Sequence, residues 1–316
     1  MSKDTTVGFV GLGIMGLPMA ENLLEAGYPV AGYNRSPEAV EQFVDAGGDA
    51  GDSPQDVAAN SEVVITCLPD SPDVETAVIG EGKGDGADAP VIAGVSEGMT
   101  LIDMSTVSPT STERIADELA ARGVAMLDAP ISGGEEGAIE GTLSIMVGGD
   151  EGVLDAHRDL LEVLGGSITH CGPTGAGQVT KACNQIVVAA TNLAVSEALV
   201  FAEKAGADLE AVVEAISGGA AGCWTLDNRA PRMIRGNFEP GFFAEYQYKD
   251  LRIATDAGEA YGSPMPATEL THEMYKAMVE NGMEFDDNSG VMQVIEMLAG
   301  TEARIGETEG GGERGD

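Results

Sequence analysis

Lys181 lies in the segment Gly175-Ala176-Gly177-Gln178-Val179-Thr180-Lys181-Ala182-Cys183-Asn184, within a stretch whose apolar residues recur at helical spacing. Only six of the 316 residues are lysine, in a chain with a formal net charge of -37. An ammonium group within an apolar helix is costly unless it is paired or put to use. A lysine that such surroundings help to exchange its proton is a candidate general acid/base. Gln178, Lys181, Gln185 and Asn192 follow one another at steps of three, four and seven and so share one helix face, with Asn184 one position round. A single lysine on a helix usually points to water. This stripe, however, consists of amides and a lysine rather than the acids this chain uses elsewhere, so it is expected to face a site.

A second constellation stands near the amino terminus. Gly11-Leu12-Gly13-Ile14-Met15-Gly16 follows a β-branched run and opens a helix pattern. Glycines at that spacing permit a tight turn and let backbone N–H groups approach a pyrophosphate at the helix N-terminus. The motif alone is weak, but within a strand–turn–helix–strand unit it reads as dinucleotide binding. Eighteen residues after Gly16, the second strand ends in Asn34-Arg35-Ser36. An acid there would accept from the ribose hydroxyls of NAD; Asn34 removes that anion, and Arg35 and Ser36 offer donors suited to a 2′-phosphate. NADP is therefore expected in preference to NAD. A third turn, Asp128-Ala129-Pro130-Ile131-Ser132-Gly133-Gly134, could present backbone amides and the Ser132 hydroxyl to an anion, or simply connect a strand to a helix.

The elements that must hold these residues follow from periodicity. Strands are expected at 6–10, 30–33, 63–67, 100–103 and 125–128, with helices at 14–26, 37–46, 109–122 and 151–164 between them. That alternation predicts a doubly wound, parallel α/β sheet of the Rossmann type, extended by strands at 144–147 and 167–171. Residues 80–98, rich in Gly and Asp, read as a loop. Beyond Pro173 the pattern turns wholly helical, starting with a helix of nearly thirty residues over 177–205. The expected organisation is a dinucleotide domain at 1–173, an all-α domain built on the long interdomain helix at 174–305, and a disordered tail at 306–316.

At this point the chain resembles the β-hydroxyacid dehydrogenases, a family that includes 3-hydroxyisobutyrate dehydrogenase and tartronate semialdehyde reductase. The resemblance rests on Phe9 through Gly16 with Met19-Ala20-Glu21-Asn22, on Asp128 through Gly134 with Gly137-Ala138 and Gly141-Thr142-Leu143, on Gly175 through Asn184, and on Lys249-Asp250-Leu251. It implies that Lys181 is the catalytic lysine, exchanging a proton with the substrate oxygen while hydride passes to or from nicotinamide. It further implies that Asn184 orients the substrate and that Ser132, Gly133 and Gly134 hold its carboxylate. The same resemblance places Thr106 and Lys249 near the nicotinamide and Leu68-Pro69 along the cofactor. The expected activity is hydride transfer between NAD(P) and a short 3-hydroxy acid or aldehyde acid. Glyoxylate and succinic semialdehyde reductases are the nearest alternatives. A decarboxylating 6-phosphogluconate dehydrogenase is disfavoured, because its acid beside the lysine is missing from Lys181 through Val187. An NADP-binding sensor without catalysis is disfavoured by Lys181, Asn184 and Ser132 together. The family also implies a homodimer or homotetramer.

Asp and Glu outnumber Lys and Arg by 53 to 16 along the whole length, which suggests a solvated surface adapted to high salt and argues against nucleic-acid binding. The amino terminus lacks a signal-peptide pattern and no apolar run is read as membrane-spanning, so a cytoplasmic location is expected. Four scattered cysteines, read as small buried apolar groups, and three scattered histidines offer neither a disulfide framework nor a metal site.

Overall fold

The computed structural model describes residues 2–80 and 89–305. It forms two compact units, one of residues up to 184 together with 256–262, the other of residues 185–255 and those from 263 onward. The expected tail at 306–316, and positions 81–88 of the expected loop, lie outside the described residues.

The first unit is built on nine strands: β1 (Val7–Val10), β2 (Val30–Tyr33), β3 (Asp49–Ala50), β4 (Val63–Thr66), β5 (Thr100–Asp103), β6 (Ala125–Asp128), β7 (Ile131–Ser132), β8 (Ser144–Gly148) and β9 (Ser167–Gly172). Helices α1 (Gly16–Glu25), α2 (Pro37–Asp45), α3 (Pro54–Ala59), α4 (Ser71–Ile79), α5 (Pro109–Ala120), α6 (Gly134–Glu140) and α7 (Glu151–Leu164) alternate with them. The order across the sheet is β3-β2-β1-β4-β5-β6-β8-β7, with β9 beside β8. The first six strands in that order are parallel; β8 runs antiparallel to both β6 and β7, so the sheet is mixed rather than wholly parallel. The reversal follows from the chain turning back through β7 and the seven-residue α6.

β1, β4 and β5 are buried throughout, as expected for parallel strands covered on both faces. Their register aligns Tyr33, Val10, Thr66, Asp103 and Asp128 in one row. Every residue that follows this row therefore emerges at the same edge of the sheet, the edge at which open α/β sheets bind ligands.

Five short elements escape periodicity: β3, α3, α4, β7 and α6. Local chemistry fixes two of them. Ser53 accepts from the Asp56 N–H at the head of α3. Asp70 accepts from Ser71 N–H at the head of α4, which ends on the left-handed Gly80. Within the expected 80–98 loop, Val91–Ala93 form a 3-10 turn.

The remaining helices are α8 (Ala176–Lys204), α9 (Leu209–Ser217), α10 (Trp224–Asn228), α11 (Ala230–Met233), α12 (Ala244–Tyr261), α13 (Pro266–Glu280) and α14 (Val291–Ala299). No strand occurs in the second unit among the described residues; Phe243 and Asp287 form one isolated bridge. Leu199, Leu226, Met233 and Met292 centre one apolar cluster there, and Leu193, Leu251, Tyr275 and Met278 another. The units divide after Asn184, inside α8. The expectation of no membrane-length apolar run is corrected by this helix. By length and composition α8 could cross a membrane, with a mean hydropathy of 1.6, and half of its most apolar window is buried. The long core helix of a folded domain meets the same criteria.

Candidate active site

The Gly-rich turn leaves β1 at the sheet edge, and its three glycines differ in what they need. Gly11 has φ +103°, and a Cβ there would lie 2.2 Å from the Cys67 carbonyl oxygen. A Cβ on Gly16 would lie 1.9 Å from the Gly11 carbonyl oxygen. Gly13 would meet nothing within 4 Å. The outer glycines are thus required by packing, whereas the middle one faces open space where only an approaching ligand would need a bare backbone. Ile14, next to it, is exposed. The first turn of α1 contains no acidic side chain, which leaves its positive end to an anion. These residues fit a dinucleotide pyrophosphate.

Asn34 braces this turn: its Oδ1 accepts from the Leu12 N–H at 3.1 Å. Arg35 is largely exposed, its guanidinium 3.5 Å from the Asp73 carboxylate. Ser36 precedes α2 at the cap position but makes no side-chain cap; its hydroxyl donates to Glu38 at 3.0 Å. The Glu38 backbone N–H first, and then the Ser36 hydroxyl, hold the Glu38 carboxyl below its ordinary range.

The ends of β4 and β5 are joined by hydrogen bonds. Leu68 N–H donates to Ser105 Oγ at 2.9 Å, Thr66 Oγ1 donates to Asp103 at 2.8 Å, and Ser105 N–H donates to the same Asp103 oxygen. Pro69 follows Leu68 in this turn, and the half-buried Thr106 sits between the buried Ser105 and Val107.

From the end of β6, the Asp128 carboxylate reaches the start of α8, accepting from Gly175 N–H at 2.8 Å and Gln178 N–H at 3.0 Å. It thus caps the helix that holds Lys181, a role its position in the sequence did not reveal. Burial pushes its carboxyl up to about 6, against the downward pull of the two N–H donors. A folded-state value above the unfolded one means that this group stabilises the fold most below pH 4. The contribution is then lost as pH rises through about 6. Asp128→Asn removes the titration. The stability of the parent relative to this variant should therefore fall by about 3 kcal/mol between acid and neutral pH. Urea melts of both proteins across that window measure it; parallel pH profiles would contradict the assignment.

Ser132 lies in β7 opposite Ser144 and is half-buried. Gly133 and Gly134 follow with φ +146° and +67°, a conformation that side chains other than glycine rarely adopt. Two exposed acids, Glu135 and Glu136, open α6, so an anion held here would meet the Ser132 hydroxyl and the glycine amides rather than a favourable helix terminus.

The polar stripe of α8 is buried. Gln178, Lys181, Gln185 and Asn192 are 1%, 5%, 4% and 2% exposed. Solvent therefore does not explain it. Asn184 is half-buried, and Cys183 is exposed. The cysteines correct the expectation of burial: none is fully buried. Cys183 lies two positions beyond Lys181, about 200° round the helix and so on the opposite face.

The structure brings the glycine turn, Asn34, Leu68, Thr106, Ser132, Lys181 and Asn184 into the first unit and places Lys249 in the second. There Lys249 pairs with Asp250 at 3.0 Å, and Asp250 also accepts from Gln185 Nε2 at 2.6 Å. The lower half of the stripe serves a buried network in that unit. Gln247 donates to the Gln185 carbonyl, Asn288 donates to Gln247, Tyr275 donates to the Asn288 carbonyl, and Thr225 donates to Asn192.

Comparison with known proteins identifies the family. Residues 6–172 match the NAD-binding domain of 6-phosphogluconate dehydrogenase, and residues 175–295 match the NAD-binding family of NADP-dependent 3-hydroxyisobutyrate dehydrogenase. Over 293 residues the chain is 41% identical to 2-hydroxy-3-oxopropionate reductase of Escherichia coli, covering 93% of this chain and 98% of that one. It is 34% identical to the human mitochondrial 3-hydroxyisobutyrate dehydrogenase, covering 93% and 88%. The solved structure of Mycobacterium tuberculosis 3-hydroxyisobutyrate dehydrogenase with L-serine superposes with a TM-score of 0.83 at 34% identity, over 92% of this chain and 99% of that one. The chain belongs to the family of NAD(P)-dependent hydroxyacid dehydrogenases that contains 3-hydroxyisobutyrate dehydrogenase and 2-hydroxy-3-oxopropionate reductase.

Proposed function

We propose that this oxidoreductase interconverts a short 3-hydroxy acid and its aldehyde acid, of the 3-hydroxyisobutyrate or tartronate semialdehyde type, with Lys181 as general acid/base. The observation that supports this most is the buried Lys181 on a helix whose N-terminus is fastened to the cofactor edge of the sheet by Asp128. NAD(P)H, when bound, supplies the hydride that adds to the carbonyl carbon. The Lys181 ammonium gives its proton to the carbonyl oxygen, and in the oxidative direction the neutral amine takes the hydroxyl proton back. The Ser132 hydroxyl and the Gly133 and Gly134 amides anchor the substrate carboxylate, so that one carbonyl face is presented. Asn184, half-buried and three residues beyond Lys181, orients the substrate, and Lys249 acts towards the nicotinamide end. Reduction of glyoxylate or succinic semialdehyde is the runner-up, since the same anchor and proton donor would serve either.

NADP is the preferred cofactor in this reading, supported by Asn34 at the end of β2 and the exposed Arg35. Arg35→Ala should weaken NADPH binding by about 10- to 100-fold, the range for a charge-assisted contact, and NADH binding far less. Equal losses for both cofactors in fluorescence titrations would refute the role of Arg35.

The acid excess supports a protein adapted to high salt. Its melting temperature and activity are expected to rise with KCl, and full stability in dilute buffer would contradict this. Val187, Ala194 and Phe201 are exposed at heptad spacing along α8, which supports a homodimer or homotetramer. Light scattering that finds a monomer would overturn it.

A further inference from the structure

We infer that Gln178 is a positioning residue that locks the Thr106 turn to the helix carrying Lys181. The inference rests on the reading of Lys181 and Thr106 given above. Gln178 is buried, and its side-chain amide bonds on both sides of Thr106. Nε2 donates to the Ser105 carbonyl at 2.8 Å, and Oε1 accepts from Val107 N–H at 3.1 Å. Using donor and acceptor together fixes both the distance and the rotation of the turn, which one bond could not do.

Gln178 is itself held, because its backbone N–H is one of the two donors to Asp128. Two glycines make that anchor possible. A Cβ on Gly148 would stand 2.5 Å from Asp128 Oδ1, and one on Gly177 would stand 2.8 Å from Oδ2. Ser105 continues the chain by accepting from Leu68 N–H at 2.9 Å. The Leu68 loop, the Thr106 turn and the start of α8 are thus one hydrogen-bonded unit. Lys181 follows Gln178 by three residues on the same face, a rise of about 4.5 Å. Alignment of nicotinamide and proton donor then depends on the Gln178 grip, and misplacement by about 1 Å can cost on the order of 10²-fold in rate.

Gln178→Met keeps the side chain's length and removes both bonds. It should lower kcat by about 10- to 100-fold while leaving the NADPH dissociation constant nearly unchanged. The isotope effect from reduced cofactor deuterated at the transferred position should rise. In protein without cofactor, exchange of the Val107 amide hydrogen should accelerate. Gln178→Glu supplies a second test. Its protonated carboxyl can donate to Ser105 and accept from Val107, whereas the ionised form can only accept. Its kcat relative to the parent should therefore recover as pH falls. The inference is overturned by parent-like kcat and Val107 exchange in the Met variant, or by a pH-independent ratio in the Glu variant. Failure of both variants to fold would assign Gln178 to stability rather than alignment and overturn it equally. Because the exchange measurement needs neither cofactor nor turnover, it tests the grip whatever becomes of Lys181. Persistent turnover in Lys181→Ala would instead defeat the underlying reading.

Discussion

Lys181→Ala is expected to lower kcat by about 10²- to 10⁴-fold, the usual contribution of a positioned general acid/base, with NADPH affinity close to that of the parent. The asymmetry follows from where the groups lie. Cofactor contacts are assigned to the turns leaving β1, β2, β4 and β5 and to Lys249, whereas Lys181 is assigned to proton exchange with the substrate. Its removal takes away a proton rather than a binding surface. Lys181→Arg should fail nearly as badly, although it keeps the positive charge, because a guanidinium does not release a proton near neutrality. Substantial activity in the arginine variant would reduce Lys181 to an electrostatic anchor. Stopped-flow reduction with saturating cofactor distinguishes the two, since it reads the chemical step separately from product release.

Substitution in the glycine turn should separate binding from folding. Gly13→Val places its side chain in open space, so the melting temperature should hold while NADPH affinity drops by about 10- to 100-fold through lost backbone contacts with the phosphates. Gly16→Ala puts a methyl 1.9 Å from a backbone oxygen that cannot yield independently of the turn. It should cost about 1–3 kcal/mol of stability or more, besides its effect on binding. A Gly13 variant that melts early but binds normally would reverse the assignment of these two positions.

Much of this arrangement was legible in the sequence because parallel strands are apolar and turns at their ends are glycine-rich. The strands at 30–33, 100–103 and 125–128 and the helix at 151–164 have the bounds that periodicity predicts. α8 differs from its predicted span by one residue at each end. β3 and β7 were missed because two residues carry no period, and α3 and α4 because capping by Ser53 and Asp70, rather than an apolar stripe, defines where they begin. The stripe was expected from its amide composition to turn away from solvent, and its four residues are buried. Its division was not expected: Gln178 grips a loop in the first unit, whereas Gln185 and Asn192 join a side-chain network in the second. Such partners lie as many as 73 residues apart along the chain, and no local pattern encodes them. The role of Asp128 was hidden for the same reason. It appears as the last residue of a strand, yet its carboxylate defines the head of α8.

The central claim is most directly tested by steady-state turnover at high KCl of 3-hydroxyisobutyrate, tartronate semialdehyde, glyoxylate and succinic semialdehyde, each with both cofactors. The account predicts cofactor-dependent turnover with the highest kcat/KM on 3-hydroxyisobutyrate or tartronate semialdehyde, favouring NADP and lowered by about 10²- to 10⁴-fold in Lys181→Ala. Absence of turnover with all four compounds, or undiminished turnover in the Lys181 variant, would contradict it.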